Sequence, residues 1–238
     1  FAMEIRQLSS VLEHHQDAID SILILETQHT ITSDKFVFKI IDSLRNTFPK
    51  SRIGGGTTGF FAELNRNRIL SNDLDFISYS ITPQVHAFDN ATLIENLNGQ
   101  SDTVRSATEF AGNKRIQIRP VTLKMQSNPA ATSTEANKAD QMDVRQMSLF
   151  GAGWTLGSIK YLTEAGAEAV TYYETLGEKG IIQGDSMPNN PEIFQVEKGA
   201  VFPVYYVFHE LLRYKKGSVI SSISSHPNKF EGMVMEEN

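Results

Sequence analysis

"RIGGGTTGFFAELNRNR", residues 52–68, decides between two α/β folds. Three consecutive glycines close a short strand-like run, and Glu63, Asn65, Arg66, Asn67 and Arg68 follow closely. In an open doubly wound sheet, the phosphate-binding turn carries glycines as G-x-G-x-x-G and leads into a helix. "GGGTTGF" lacks that spacing and lacks the Lys-Ser/Thr ending of a P-loop, and "FFAELNRNRILSND" is a poor helix. The glycines therefore read as a tight turn where backbone crowds backbone.

Outward from this stretch, strands and helices alternate. "SILILE" (21–26) is a short apolar strand of the kind buried on both faces of a parallel sheet. "SDKFVFKIIDSLRNTF" is a helix: Ser33 can cap it, Phe36, Ile40, Ile41 and Leu44 share a face, and Pro49 stops it. "SRIGGG", "DLDFISYSI" (73–81), "RIQIRPVTL" (115–123) and "AEAVTYYET" (167–175) are further strands. Helices are expected over "ATLIENLNGQSDTVRSATEFAG", "VRQMSLFGAGWTLGSIKYLTEAG" and "VFPVYYVFHELLRYKKG", with a long polar loop over 126–143. Short connections between alternating elements mean α/β with parallel strands. The tail, "SVISSISSHPNKFEGMVMEEN", alternates like antiparallel strands.

Composition excludes several function classes. The 238 residues are 40% hydrophobic and 21% charged, with a net charge of −6 and no basic stripe, so nucleic acid is not an expected partner. No apolar run reaches the ~18 residues of a membrane span, and the first residues lack the pattern of a secretory signal. The chain has no cysteine, which removes disulfides and thiol chemistry. A cytoplasmic protein fits these features. No cofactor is expected; a metal held by Glu63, His86 and Asp89 is the alternative, which no tight ligand spacing such as H-E-x-x-H supports.

"GGGTTGFFAELNRNR", "SITPQVHAFD", "DVRQMSLFGAGWTLGS" and "AVTYYETLGEKGI", taken together and in this order, make the chain resemble the D-apionate lactonase family. The resemblance implies a TIM barrel similar to those of glycoside hydrolases, flanked by β domains, and hydrolysis of D-apionolactone to D-apionate. It also renumbers the strands. If the last helix leads out of the barrel, the strand ending at Thr175 is the eighth and the one ending at Glu26 is the fourth. The chain is then the C-terminal part of a (β/α)8 barrel, about strands 4–8. Residues 1–217 would form the partial barrel and 218–238 the start of a C-terminal β domain. The rest of the barrel would come from an upstream segment or another chain.

Active sites of such barrels lie at the carboxyl ends of the strands, where every block above falls. Three residues are the catalytic candidates. Glu63, among Phe60, Phe61 and Leu64, is a candidate acid or base, and the alternative is a Glu–Arg pair bracing the loop. His86 can activate water at neutral pH if Asp89 orients it. Glu174, at the end of its strand, can be base, nucleophile or acceptor, and the alternative is an ion pair with Lys179 or Arg145. The substrate-binding candidates are Asn65, Arg66, Asp89, Arg145 and Tyr173. For Arg145, polarising a lactone carbonyl competes with a salt bridge to Asp143 or Asp140. Trp154 reads as core. Of the two alternatives, a non-catalytic carbohydrate-binding domain on a decayed barrel stays open, and a glycosidase is disfavoured because the seventh strand, "QIRPVTLKM", ends without a carboxylate to partner Glu26.

Overall fold

The computed structural model describes residues 2–12, 15–26, 29–126, 141–188 and 191–237. His14, Asp140 and most of the expected polar loop lie outside these. Contacts divide the chain into two compact units, Phe1–Ser80 with Ser106–Arg119, and Ile81–Arg105 with Pro120–Asn238.

In the first unit, α1 (Ala2–Val11) precedes β1 (Ser21–Ile24). Ser33 then caps α2 (Asp34–Thr47) by accepting the Phe36 N–H at 3.2 Å. Val37, Ile40, Ile41 and Leu44 bury the inner face of α2, and Phe48 ends it before Pro49. The glycine stretch corrects the sequence reading. It is no turn but the middle of β2 (Arg52–Phe60), a nine-residue strand. β2 pairs in parallel with β1 (Ser21↔Arg52 to Ile24↔Gly55) and with β3 (Phe76–Ile81; Gly54↔Phe76, Gly56↔Ser78). A side chain at Gly54 would overlap the Phe76 ring, and one at Gly56 would overlap the Ser78 backbone. The crowding is therefore between strands. β3 starts later than expected because the Asp75 carboxylate is used to fasten its entry, accepting Ile53 N–H at 2.7 Å and the Arg45 guanidinium at 3.0 Å.

With α3 (Phe61–Arg66), α4 (Asn90–Glu95) and α5 (Leu97–Ala111) intervening along the chain, β4 (Arg115–Val121) and β5 (Ala169–Tyr172) complete a five-stranded sheet in the order β1-β2-β3-β4-β5. Strand order equals chain order, with no reversal. That separates this sheet from the doubly wound one, whose order turns back at a switch point. β1 lies at an end of the sheet, and Ser21, Ile22 and Leu23 are accordingly only half-buried.

In the second unit, the helix expected from Val144 onward is split. A 3₁₀ turn (Val144–Met147) ends at Ser148, which is extended and caps α6 (Leu149–Glu164) by accepting the Gly151 N–H. Trp154 is fully buried, as its apolar setting predicts, and its indole donates to Leu93 O at 3.2 Å. Met142, Ala152, Phe194, Phe202 and Val204 form a core with Val207 and Phe208 of α7 (Pro203–Arg213). β6 (Ser218–Ile220) and β7 (Val234–Glu236) pair antiparallel, as the alternation of the tail predicts. Lys160 of α6, 2% exposed, holds the segment between them: its ammonium donates to Ser222 O at 2.8 Å and to Glu164 at 3.2 Å. Tyr161 donates to Glu231 at 2.6 Å, and burial together with that carboxylate pushes its phenol up to about 12. Among the described residues, no helix is long and apolar enough to cross a membrane.

Candidate active site

In the first unit, β2 leaves its register past Gly56: Gly56 faces Ser78, but Phe60 faces Ser80. Such bulges re-aim the chain at strand ends and are common beside active sites. Ser80 Oγ spans the bulge by donating to Thr58 O and Gly59 O, both at 2.8 Å. The chain then enters α3 (Phe61–Arg66), a short helix where the sequence promised little. Glu63 serves that helix. Its carboxylate accepts the Phe60 N–H at 2.8 Å and lies 3.7 Å from Arg66, so the bracing alternative is the arrangement found. Asn65 accepts from Arg68 at 2.8 Å, and the Arg68 guanidinium lies 4.5 Å from the centre of the Phe110 ring. Arg66 is exposed.

His29 of this unit is absent from the sequence reading, and Glu26 enters it only as the strand-four carboxylate of the disfavoured glycosidase. Glu26 follows β1, and its Oε2 accepts both the N–H (3.2 Å) and the hydroxyl (2.8 Å) of Ser33. Its Oε1 lies 3.6 Å from His29 Nε2. Desolvation pushes the Glu26 carboxyl up, but the Ser33 hydrogen bonds and the nearby His29 and Lys35 outweigh it and hold the carboxyl below its ordinary value. His29 lines a cavity of about 410 Å³ with Thr30, Asp34, Asn67 and Arg68. The signal was present in "ETQHT": a carboxylate and an imidazole three residues apart, directly after a strand.

In the second unit, the ends of β3, β4 and β5 are tied by Thr122 N–H to Ile81 O (3.0 Å) and Tyr173 N–H to Val121 O (3.2 Å). Three connecting segments meet beyond them. The 84–90 segment reaches the 3₁₀ turn through Gln84, whose amide donates to Asp143 at 2.6 Å. The same turn reaches the segment after β5 through Gln146, which donates to Gly180 O at 2.7 Å. Arg145 joins all this with a two-pronged pair to Asp143 (2.9 and 2.7 Å) and bonds to Phe88 O and Asn90 Oδ1, both at 2.9 Å. The salt-bridge alternative for Arg145 is thus the one realised, with Asp143.

Burial alone pushes the Asp143 carboxyl up. The Arg145 side chain and backbone N–H and the Gln84 amide outweigh it and hold the group below its ordinary value. A depressed folded value means that the pair contributes above the unfolded carboxyl's ~3.9 and that this contribution is lost as pH falls through the folded value. Asp143→Asn, which cannot titrate, is expected to lower stability at neutral pH and to flatten its acid dependence below pH ~4. Urea midpoints from Trp154 fluorescence at a series of pH values check this. An unchanged acid limb in the variant would contradict it.

His86 is exposed, and Asp89 does not orient it. Asp89 instead caps α4 (Asn90–Glu95), accepting the Thr92 N–H at 3.0 Å and hydroxyl at 2.7 Å. The Thr92 N–H, with the hydroxyl, holds the Asp89 carboxyl below its ordinary value. The expected His–Asp pair fails because a residue just before a helix is bound first by the N–H groups that the helix leaves open. Tyr173 leaves β5 with φ 44°, a left-handed conformation that costs a bulky residue about 1–3 kcal/mol and is frequent at functional sites. Its hydroxyl lies 3.4 Å from Thr155, and burial pushes the phenol above its ordinary value. Glu174 is exposed and paired with Lys179 at 2.8 Å, and Lys179 also donates to Gln126 at 3.1 Å. Among the described residues, no three His, Asp or Glu side chains group as metal ligands.

A parallel sheet wound in chain order defines the class of α/β barrels. Within that class the chain belongs to the D-apionate lactonase family, since residues 1–216 match the family described as "D-apionate lactonase, TIM barrel domain". It is 29% identical over 150 residues to the D-apionate lactonase of Brucella anthropi, which covers 60% of this chain and 25% of that protein. The aligned part thus spans about a quarter of the curated relative's length. Among solved structures, it is similar to a glycoside hydrolase family 5 mannosidase from Rhizomucor miehei at 15% identity and a TM-score of 0.46, covering 78% of this chain and 45% of that one. A variant of the same mannosidase gives 13% identity and a TM-score of 0.48, covering 79% and 46%.

Proposed function

We propose that this chain carries catalytic machinery of a hydrolase that opens a sugar lactone, D-apionolactone to D-apionate, in branched-pentose catabolism. The reading rests on one observation: in a chain of this family, the second unit bonds both the segment that carries His86 and the segment that carries the Glu174–Lys179 pair to the Arg145 turn past the strand ends. Family membership supports the substrate class. The remaining barrel strands would come from another segment or chain, and the cytoplasm is the proposed location.

Lactone opening makes three demands. Water must lose a proton as its oxygen bonds to the carbonyl carbon, the oxyanion needs positive charge or donors, and the ring oxygen must receive a proton as its acyl bond breaks. Glu174 is the proposed base, and its partner Lys179 supplies charge toward the oxyanion. His86 is the proposed donor to the ring oxygen. Asp89 and Tyr173 are proposed to meet the sugar hydroxyls or the product carboxylate, while Arg145 is reassigned from substrate to scaffold.

In the intact protein, His86→Ala and Glu174→Gln are each expected to lower kcat on D-apionolactone about 100-fold, the lower end for lost acid–base catalysis. Their urea midpoints should stay at the wild-type value. Wild-type rates in both variants would refute the assignment. Cleavage of an aryl glycoside with no lactone turnover would make the protein a glycosidase.

A further inference from the structure

We propose that Gln84, Asp143 and Arg145 act as a clamp that presents His86, which makes them positioning residues for the reaction. This rests on His86 being the proton-transfer residue proposed above. The clamp can be followed bond by bond from β4. Leu123 O, just past that strand, accepts from the Gln84 amide at 2.6 Å. The same amide nitrogen donates to Asp143 Oδ2 at 2.6 Å. Asp143 binds the Arg145 backbone N–H and guanidinium, both at 2.9 Å through Oδ1. Arg145 reaches Phe88 O and Asn90 Oδ1. The segment 84–90 is thereby pinned at both ends.

Burial separates the pins from what they hold. Gln84 is 4% exposed, and the Asp143 and Arg145 side chains are 8% and 18% exposed. Between the pins, Val85 and His86 are exposed, as is Phe88. A buried glutamine amide spent on two acceptors is a specific device: leucine or methionine would fill the space but leave a carbonyl and a carboxylate short of a donor. Asp89 completes the anchorage from the far side by capping α4. A loop held this way has already lost most of its backbone freedom, so an imidazole on it meets a substrate without that entropy being lost at each turnover.

Gln84→Met in the intact protein tests the clamp. With D-apionolactone, kcat is expected to fall at least tenfold with KM within threefold. In a His86→Ala background the same change should cost less than twofold, because nothing remains to be positioned. The NMR signals of the His86 ring, identified by their loss in His86→Ala, should move or broaden in Gln84→Met, while those of His209 and His226 stay in place. Unchanged kcat and unmoved His86 signals would overturn the proposal. So would an equal loss of activity in the His86→Ala background, which marks a general structural role. If the wild-type protein opens no lactone, the proposed function fails by itself, and the ring signals still decide the clamp: moved, it stands; unmoved, it falls. If Gln84→Met does not fold, Asn90→Ala removes a single exposed contact to Arg145 and is read by the same signals, with a two- to fivefold loss of kcat expected.

Discussion

Lys160→Met is expected to destabilise the second unit by about 3–5 kcal/mol, the usual cost of removing one partner from a buried charged cluster. Lys160 lies beside two carboxylates that are themselves 12% and 14% exposed, Glu164 and Glu231. Glu164 also accepts the Ser222 N–H at 3.2 Å, so the cation and the carboxylate together fasten the segment between β6 and β7 to α6. Without the ammonium, two like charges remain in a poorly hydrated place, and Ser222 O loses its donor. The chain has a single tryptophan, and it is buried in α6 beside this cluster in sequence. Its fluorescence therefore reports the second unit. With a urea dependence of about 2 kcal/mol/M, the midpoint should fall by roughly 2 M. Adding Glu164→Gln and Glu231→Gln should recover much of that loss, because the cost lies in uncompensated charge. If the single variant unfolds at the wild-type midpoint, the cluster is not holding the segment.

Gly56→Ala should injure the first unit. The new methyl would fall on the Ser78 backbone of the neighbouring strand, and no side-chain rotation can relieve that clash. Overpacking typically costs about 1–3 kcal/mol, and backbone displacement puts this case at or beyond the top of that range. For a chain of this length a cost of ~3 kcal/mol corresponds to a Tm lower by about 6–12 °C. Amide exchange of Arg52–Phe60 should accelerate. Gly153→Ala is the control: it lies within α6 with nothing near the added methyl, and alanine there should be neutral or stabilising by up to ~1 kcal/mol. Equal behaviour of the two variants would refute the close-approach account of the glycines.

Much of the architecture was legible because it depends on local regularities. The α2 face, its Ser33 cap and its stop before Pro49 are all written within seventeen residues, and the structure has each of them, with Val37 in place of Phe36 on the buried face. Strand boundaries were less legible. "SRIGGG" looked like a strand closing on a turn because glycine has high turn propensity; parallel pairing on both sides made it the centre of a nine-residue strand instead. The split at Ser148 was hidden because the apolar pattern runs through it, while the serine cap acts on a single N–H.

The site was legible as a set of places but not as a set of bonds. Each polar block does follow a strand, yet Asp89 binds Thr92 instead of His86, Glu63 binds the start of its own helix, and His29 beside Glu26 went unnoticed.

By itself, the sequence determined the alternation of strands and helices, the apolar faces and the segments that carry polar chemistry, since these follow from periodicity and from residues within one turn of each other. Only the tertiary structure decided which partner each charge takes. Gln84 meets Asp143 across 59 positions, and Arg145 meets Phe88 across 57. A hydrogen bond is made or lost over a few tenths of an ångström, and distances that fine depend on the strand register and loop paths of the folded chain.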